Sequence, residues 1–296
     1  MVQMLLKPHV RWVLILPVFS LAFLIAPRNP AHAGEDSPLQ EDAAASPAGQ
    51  MGSPGNAGTV LPDLFTGTVG ASIPIDVPPG RNGLQPSLAL SYRSNGGAGW
   101  VGLGWELGVG AIERSTKNGV NYEGDDYVLR LSGSTVDLTR TSGAAPGDGE
   151  FQAKIEGAFQ RIQKAGSSWM VTDKTGKRYF FGQTDASRQE NFIVGIFKWA
   201  LDRVEDLDQN DMTFTYFKDA GQIYLDQINY TGHPAQGPAH QVKFHREFRN
   251  NMPEMYGTNF LVRTSYRLKT IEVLANGSVA RAYELIYVES VGHPAD

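Results

Sequence analysis

From residue 59 onward the chain is a succession of short runs in which apolar and polar side chains alternate, each ended by glycine, proline, asparagine or aspartate. A period of two places successive side chains on opposite faces of a pleated backbone, so such a run buries one face only as a β-strand. Residues 72–77 alternate and are followed by the turn 78–83, Pro-Pro-Gly-Arg-Asn-Gly. Residues 88–92 alternate next, and 127–131 break at Ser132-Gly133 before 136–139 return as a hairpin. Two tryptophan-led units follow, 169–172 turning at 173–176 into 178–181, and 199–204 turning at 205–211 into 212–216. Their spacing and turn lengths differ, so they set no repeat; Trp169 and Trp199 are expected as core anchors. Segments 223–230, 242–248, 268–275 and 279–288 have the same character. No helical period intervenes, which predicts antiparallel hairpins and not a parallel sheet. The expectation is an all-β domain over residues 59–296, its antiparallel, hairpin-rich sheets forming a sandwich-like or shell-wall architecture.

The N-terminus reads differently. Lys7 and Arg11 precede an apolar run, 12–26, broken only by Pro17 and Ser20, and Ala31-His32-Ala33 follows. A basic start, an apolar core and a small-residue exit make a secretory leader. A spanning helix needs about twenty apolar residues, so residues 1–33 are read as a signal peptide and not as a stable membrane span. Export by a Sec-type signal implies a periplasmic or extracellular location. Residues 34–58 hold one leucine, one methionine and no aromatic. They bury too little to offset their ordering entropy and are read as a flexible linker. Removing residues 1–33, with three bases and no acid, takes the net charge from −5 to −8. With no basic excess to neutralise phosphates, a nucleic-acid partner is excluded. The absence of cysteine excludes disulfides, thiolate metal sites and a cysteine nucleophile.

The most distinctive stretch is 96–110, where Gly96, Gly97, Gly99, Gly102, Gly104, Gly108 and Gly110 crowd around Trp100 and Trp105. Such density predicts positive φ angles, bulges and close backbone approach, with the two indoles filling the space that missing side chains leave. Residues 97–102 formally satisfy GxGxxG, but a dinucleotide site needs a strand before it and a helix after it. Here more glycines follow, and then Ile112-Glu113-Arg114.

Residues 78–94, PPGRNGLQPSLALSYRS, together with 99–119, GWVGLGWELGVGAIERSTKNG, resemble the N-terminal domain of the Salmonella virulence plasmid B (SpvB) family. The same domain opens the B component of insecticidal Tc toxin complexes. The resemblance continues through 126–129, 199–206 and 224–231 and covers nearly everything from residue 58 to 288. It implies a β-rich shell domain without catalytic residues. In Tc complexes that domain joins a β-propeller and Rhs-type repeats around a toxic C-terminal segment. The partners so implied are downstream Rhs or propeller-type segments, or separate toxin-complex subunits. The chain is accordingly expected to be the N-terminal part of a longer toxin architecture. It departs from the family at Gln209, where many relatives have glycine in Asp-x-x-Gly-Asn, and in carrying a Sec-type leader.

The resemblance also brings ADP-ribosyl transfer into view, chemistry that uses an arginine, a Ser-Thr-Ser strand and a Glu-x-Glu pair. No Glu-x-Glu occurs here, and Ser115-Thr116-Lys117 lacks the final serine. On a strand His240 and His245 face opposite ways, being five apart, and His233 precedes Pro234 in a polar loop. Asp206, Asp208 and Asn210 have the alternate spacing of calcium-loop ligands, with Asp202 and Asp211 nearby. No glycine stands at the sharp-turn position and no glutamate closes a twelve-residue loop, and Asx residues are also the usual occupants of hairpin turns. Both readings of that turn stay open at the level of sequence. No catalytic, cofactor-binding or metal residue is assigned, and no enzyme is expected.

Two functions remain: a non-catalytic structural domain of an exported Tc- or Rhs-like toxin that helps to encase or deliver a toxic segment, or a free-standing secreted module that binds cell-surface glycan or protein. The leader makes a first prediction. Exported protein should begin at Gly34, and intact-mass analysis that finds Met1 retained would overturn it.

Overall fold

The computed structural model describes residues 2–7, 59–63, 67–155 and 157–288. The leader's apolar run, its exit at Ala31-His32-Ala33, and the linker 34–58 lie outside the described residues. The strands are β1 (Val2–Lys7), β2 (Thr59–Asp63), β3 (Thr68–Ile75), β4 (Leu88–Arg93), β5 (Trp105–Leu107), β6 (Ala111–Arg114) and β7 (Tyr127–Leu131). Then come β8 (Ser134–Gly143), β9 (Gly149–Ala153), β10 (Arg161–Ala165), β11 (Ser168–Thr172), β12 (Arg178–Phe181), β13 (Arg188–Asn191) and β14 (Gly195–Glu205). The last are β15 (Asp211–Asp219), β16 (Gln222–Gly232), β17 (His240–Phe248), β18 (Glu254–Met255), β19 (Val262–Arg263), β20 (Tyr266–Ala275) and β21 (Ser278–Tyr287). The chain is all-β and every strand-to-strand ladder is antiparallel. Among the described residues no helix is long and apolar enough to cross a membrane.

Alternation could not show that part of the main sheet closes on itself. Strands β6 to β12 follow one another as neighbours, β12 pairs with β14, and β14 pairs back onto β6 through Lys198↔Glu113, Trp199↔Ile112 and Ala200↔Ala111. At its far end β14 pairs with β15 instead, through Arg203↔Thr213 to Glu205↔Asp211. One strand therefore closes a barrel with its first half and starts an open extension, β15-β16-β17-β20-β21, with its second.

The barrel is solid. Trp169 and Trp199, each 1% exposed, meet edge to face at 5.8 Å, and Tyr127 stands 4.8 Å from Trp169 and 5.7 Å from Trp199. Phe151 completes the set 4.9 Å from Trp169. Edge-to-face pairs of this kind add to the area they bury. The Trp199 indole also donates to the Ser167 carbonyl at 2.9 Å. Gly182, at φ +66, is fixed by this packing: a Cβ there would stand 2.2 Å from Cδ1 of Trp199. Arg114 stacks over Tyr122, Tyr127 and Trp199 and donates to the carbonyls of Ile196, Asn121 and Gly124, so a guanidinium plugs one side of the aromatic core.

A second sheet, β2-β3-β4-β5, lies across the extension. The two share one continuous core that includes Ile75, Leu88, Leu90, Val101, Ile228, Val242, Phe244, Ile271 and Leu285. Polar contacts fix the crossing: Tyr283 Oη accepts from Asp76 N at 2.9 Å, Tyr230 Oη donates to Pro78 O at 3.1 Å, and Leu268 N donates to Trp100 O at 2.8 Å. Arg249, buried, donates to Gly99 O at 3.0 Å. The first part of the glycine block, 96–104, is thus in the loop between β4 and β5 that seats this sheet.

Two expectations for that block change. Positive φ occurs at Gly102, Gly104 and Gly110 but not at the other four glycines. At Gly104 it is joined by crowding, since a Cβ would lie 2.6 Å from both Arg93 O and the Tyr92 ring. Trp100 and Trp105 are only partly buried: Trp100 meets Tyr224 edge-on at 6.0 Å, and Trp105 leans on Tyr92 at 5.2 Å. The enclosed indoles are those of the two tryptophan-led hairpins, because a barrel interior is screened from every side and a covering sheet is not. Residues 97–102 form a loop with no helix after it, so the GxGxxG match has no phosphate-binding context.

Two outcomes are expected. Trp199→Ala should cost about 3–5 kcal/mol in chemical denaturation, the usual range for emptying a buried aromatic site, and Trp105→Ala clearly less; the reverse order would sink this reading of the core. The second concerns the outer edge of β21, which carries β1, from Val2↔Tyr287 to Lys7↔Ala282. Those six residues fall within the expected leader. A chain starting at Gly34 leaves that edge without its partner, and long uncovered edges recruit other strands. Sedimentation should show such a chain self-associating; a monomer with slow amide exchange along 278–287 would contradict this.

Candidate functional site

The acidic turn between β14 and β15 is held by hydrogen bonds of its own. Asp206 accepts from Asp208 N and Asn210 N, both at 2.9 Å, and from Asn210 Nδ2 at 2.8 Å. Burial pushes the Asp206 carboxyl up, but the donors from Asn210, Asn82 and Asp208 outweigh it and hold the group below its ordinary range. Asn82 Nδ2 reaches Asp208 Oδ2 at 3.0 Å and ties the turn to the short 3-10 turn at Arg81–Gly83. Gln209 has φ +63, the conformation that the glycine of the family pattern adopts freely.

The neighbouring acids point elsewhere. Asp202 accepts from Gln183 N at 2.6 Å, Thr184 Oγ1 at 2.9 Å and Ser187 Oγ at 2.9 Å, and so anchors the turn that leads into β13. Burial raises its pKa in spite of those donors. Among the described residues no three His, Asp or Glu side chains converge as a metal would require. The histidines are equally scattered. His233 Nδ1 accepts from Ala235 N at 3.1 Å, His240 packs edge-on against Tyr230 at 5.3 Å, and His245 faces Glu272 at 3.2 Å. His240 and His245 sit on β17 with His245 exposed, as their spacing predicts.

The barrel's outer wall carries a shallow groove of about 430 Å³ beside β9 to β12, lined in part by Glu150, Gln163, Met170 and Phe180. These four are cross-strand neighbours in one row, and Arg203 stacks on Phe180 at 4.3 Å. The row offers an apolar floor and one carboxylate, with no nucleophile held against a base. Lys164 at its rim has a pKa lowered by burial, with Arg114 and Arg140 adding to the effect, yet its ammonium donates to the carbonyls of Pro146 and Gly166.

Residues that sequence reasoning passed over do more. Arg140 pairs with Asp125 at 2.6 Å, lies over Phe151 and donates to the carbonyls of Ser142, Gly147 and Asp148, closing the loop between β8 and β9. A small second core, Phe197, Phe260 and Val262 with Val120, Tyr122 and Val194, gathers the segments around 120–122, 194–197 and 260–262. The signal was available: 192–194, Phe-Ile-Val, is an apolar run between Asn191 and Gly195 and reads as a hairpin tip.

A family model described as Salmonella virulence plasmid 65kDa B protein (SpvB) matches residues 64–256. The mono(ADP-ribosyl)transferase SpvB of Salmonella choleraesuis (strain SC-B67) is 33% identical over 143 residues, 40% of this chain and 24% of that protein. The SpvB of Salmonella typhimurium (strain 14028s / SGSC 2262) is 32% identical with the same coverage. The chain thus spans about a quarter of the length of these curated relatives. The solved N-terminal domain of effector protein SpvB from Salmonella typhimurium strain LT2 matches with TM-score 0.60 at 16% identity, over 73% of this chain and 97% of that one. The crystal structure of TcdB2-TccC3 matches with TM-score 0.64 at 16% identity, over 84% of this chain and 16% of that one. At such identities the likeness is one of fold. The family match runs without a break from the seating of the second sheet through the whole barrel and most of the extension, and the chain belongs to the Salmonella virulence plasmid 65kDa B protein (SpvB) family.

Proposed function

We propose that the chain is a non-catalytic structural domain of an exported Tc- or Rhs-like toxin, helping to encase or deliver a toxic partner segment. The observation that carries this reading is the likeness to TcdB2-TccC3 over 84% of the chain. Ionisable side chains here hold the architecture, as Asp202, Asp206 and Arg114 illustrate. On this reading the partners are downstream Rhs or propeller-type segments, or separate toxin-complex subunits, met outside the inner membrane once a Sec-type leader is removed. ADP-ribosyl transfer is named for the curated relatives, of whose length this chain matches 24%.

The alternative of a glycan-binding module would gain from aromatic rings exposed flat on one sheet. Phe217, Tyr266 and Phe248 do gather on β15, β20 and β17, but they meet edge to face, at 88° and 84°, and only Phe248 is exposed. Sugar stacking uses open ring faces, so this geometry favours the scaffold.

Co-expression tests the proposal. The chain should co-elute on size exclusion with Rhs- or propeller-type products encoded beside it, and NAD should give no transfer to protein acceptors. Elution always as the free chain, or ADP-ribosylation by the chain alone, would overturn it.

A further inference from the structure

The groove on the barrel's outer wall has the size and lining of a small-molecule site. Its volume of about 430 Å³ falls in the usual range of such pockets, about 300–1,000 Å³. Met170 on β11 and Phe180 on β12 are cross-strand partners and form its floor, with the Arg203 guanidinium over the Phe180 ring at 4.3 Å. Lys164 also lines it. The Lys164 ammonium has three N–H donors and two acceptors, the carbonyls of Gly166 at 3.1 Å and Pro146 at 3.4 Å, and among the described residues no carboxylate pairs with it. Arg114 and Arg140 act on the same ammonium, against Asp148 and Asp125. Those acids are already engaged: Asp125 pairs with Arg140 at 2.6 Å, and Asp148 accepts from Gly166 N at 2.6 Å. Glu150, the groove's own carboxylate, is held by Arg161 at 2.6 Å and by Gln163 Nε2 at 3.1 Å.

The polar atoms left over are donors. Besides Lys164, the indole N–H of Trp169, a residue of the groove wall, and Nε of Arg203, beside the floor, are buried without an acceptor. A buried donor without a partner is costly, so a surface of this kind favours a ligand that brings acceptors. We propose that the groove binds a small amphiphile, a monocarboxylate on an unbranched apolar stem, whose head meets Lys164 and whose stem lies along Met170 and Phe180. Lys164 is on β10 and Phe180 on β12, two strand spacings or about 10 Å apart, and this sets the length of the stem. An uncharged head would leave the ammonium without its third acceptor. A cationic head would meet the like charges of Lys164, Arg114 and Arg140. Such a site is independent of the scaffold role proposed above.

Octanoate, octanol and octylamine test this by calorimetry on the full chain, each below its micellar concentration. Octanoate should saturate a single site and bind more tightly than octanol, with octylamine weakest. Met170 alternates with the buried Trp169 and Val171 and so faces outward, which lets Met170→Asp charge the floor without entering the core. That variant, and Lys164→Met, should each weaken octanoate binding by at least about tenfold, the factor that 1.4 kcal/mol represents. A readout on the unaltered chain covers the case in which Lys164→Met does not fold. Octanoate should slow acetylation of Lys164 by acetic anhydride, read by peptide mass spectrometry, and leave exposed Lys174 unprotected. Equal binding of octanoate and octylamine, undiminished binding by Met170→Asp, or acetylation of Lys164 indifferent to octanoate would each overturn the proposal.

Discussion

Everything else in the structure depends on the pairing of β14 with β6. Without it, strands β6 to β12 with β14 would form an open sheet whose aromatic face, Tyr127, Phe151, Trp169 and Trp199, lay bare. Closure turns that face inward, and Trp199 sits on the closing strand itself, opposite Ile112. The hydrophobic core and the hydrogen-bond ladder therefore need each other. Leu201 N donates to Gly110 O just past the ladder, where the chain leaves β14 for the extension. Gly110, at φ +120, has room for no more than a hydrogen beside Leu131 without asking that side chain to give way. The fork also makes barrel and extension a single cooperative body, since neither can lose β14 alone.

Most strands were legible in the sequence because each wears its period openly. Residues 127–131 and 178–181 appear with unchanged limits, and 242–248 extends by two residues to His240. What was hidden lies in short strands: β5 sits inside the glycine block and β6 directly after it, and β9, β10 and β13 carry charge on their wet faces. Alternation reports which face of a strand is buried. It does not report which strand lies next to it, so a closed barrel and an open wall read alike until the registers are known.

The functional residues were legible to a smaller extent. The acidic turn 206–210 was visible as a pattern, but whether its oxygens faced a cation or its own backbone depended on donors at Asn82 and Asn210, one of them far away in sequence. The family resemblance rested on glycines and tryptophans whose work is to seat one sheet on another, as Trp100 O does for Leu268. Such residues identify a fold faithfully and carry little information about a ligand.

The filled barrel has a consequence for permeability. A lumen occupied by interlocking rings and stoppered by a guanidinium leaves no axial route for a peptide or even a hydrated ion. Any wall assembled from such units is therefore leak-tight through each unit, and its porosity is set wholly at the seams between them.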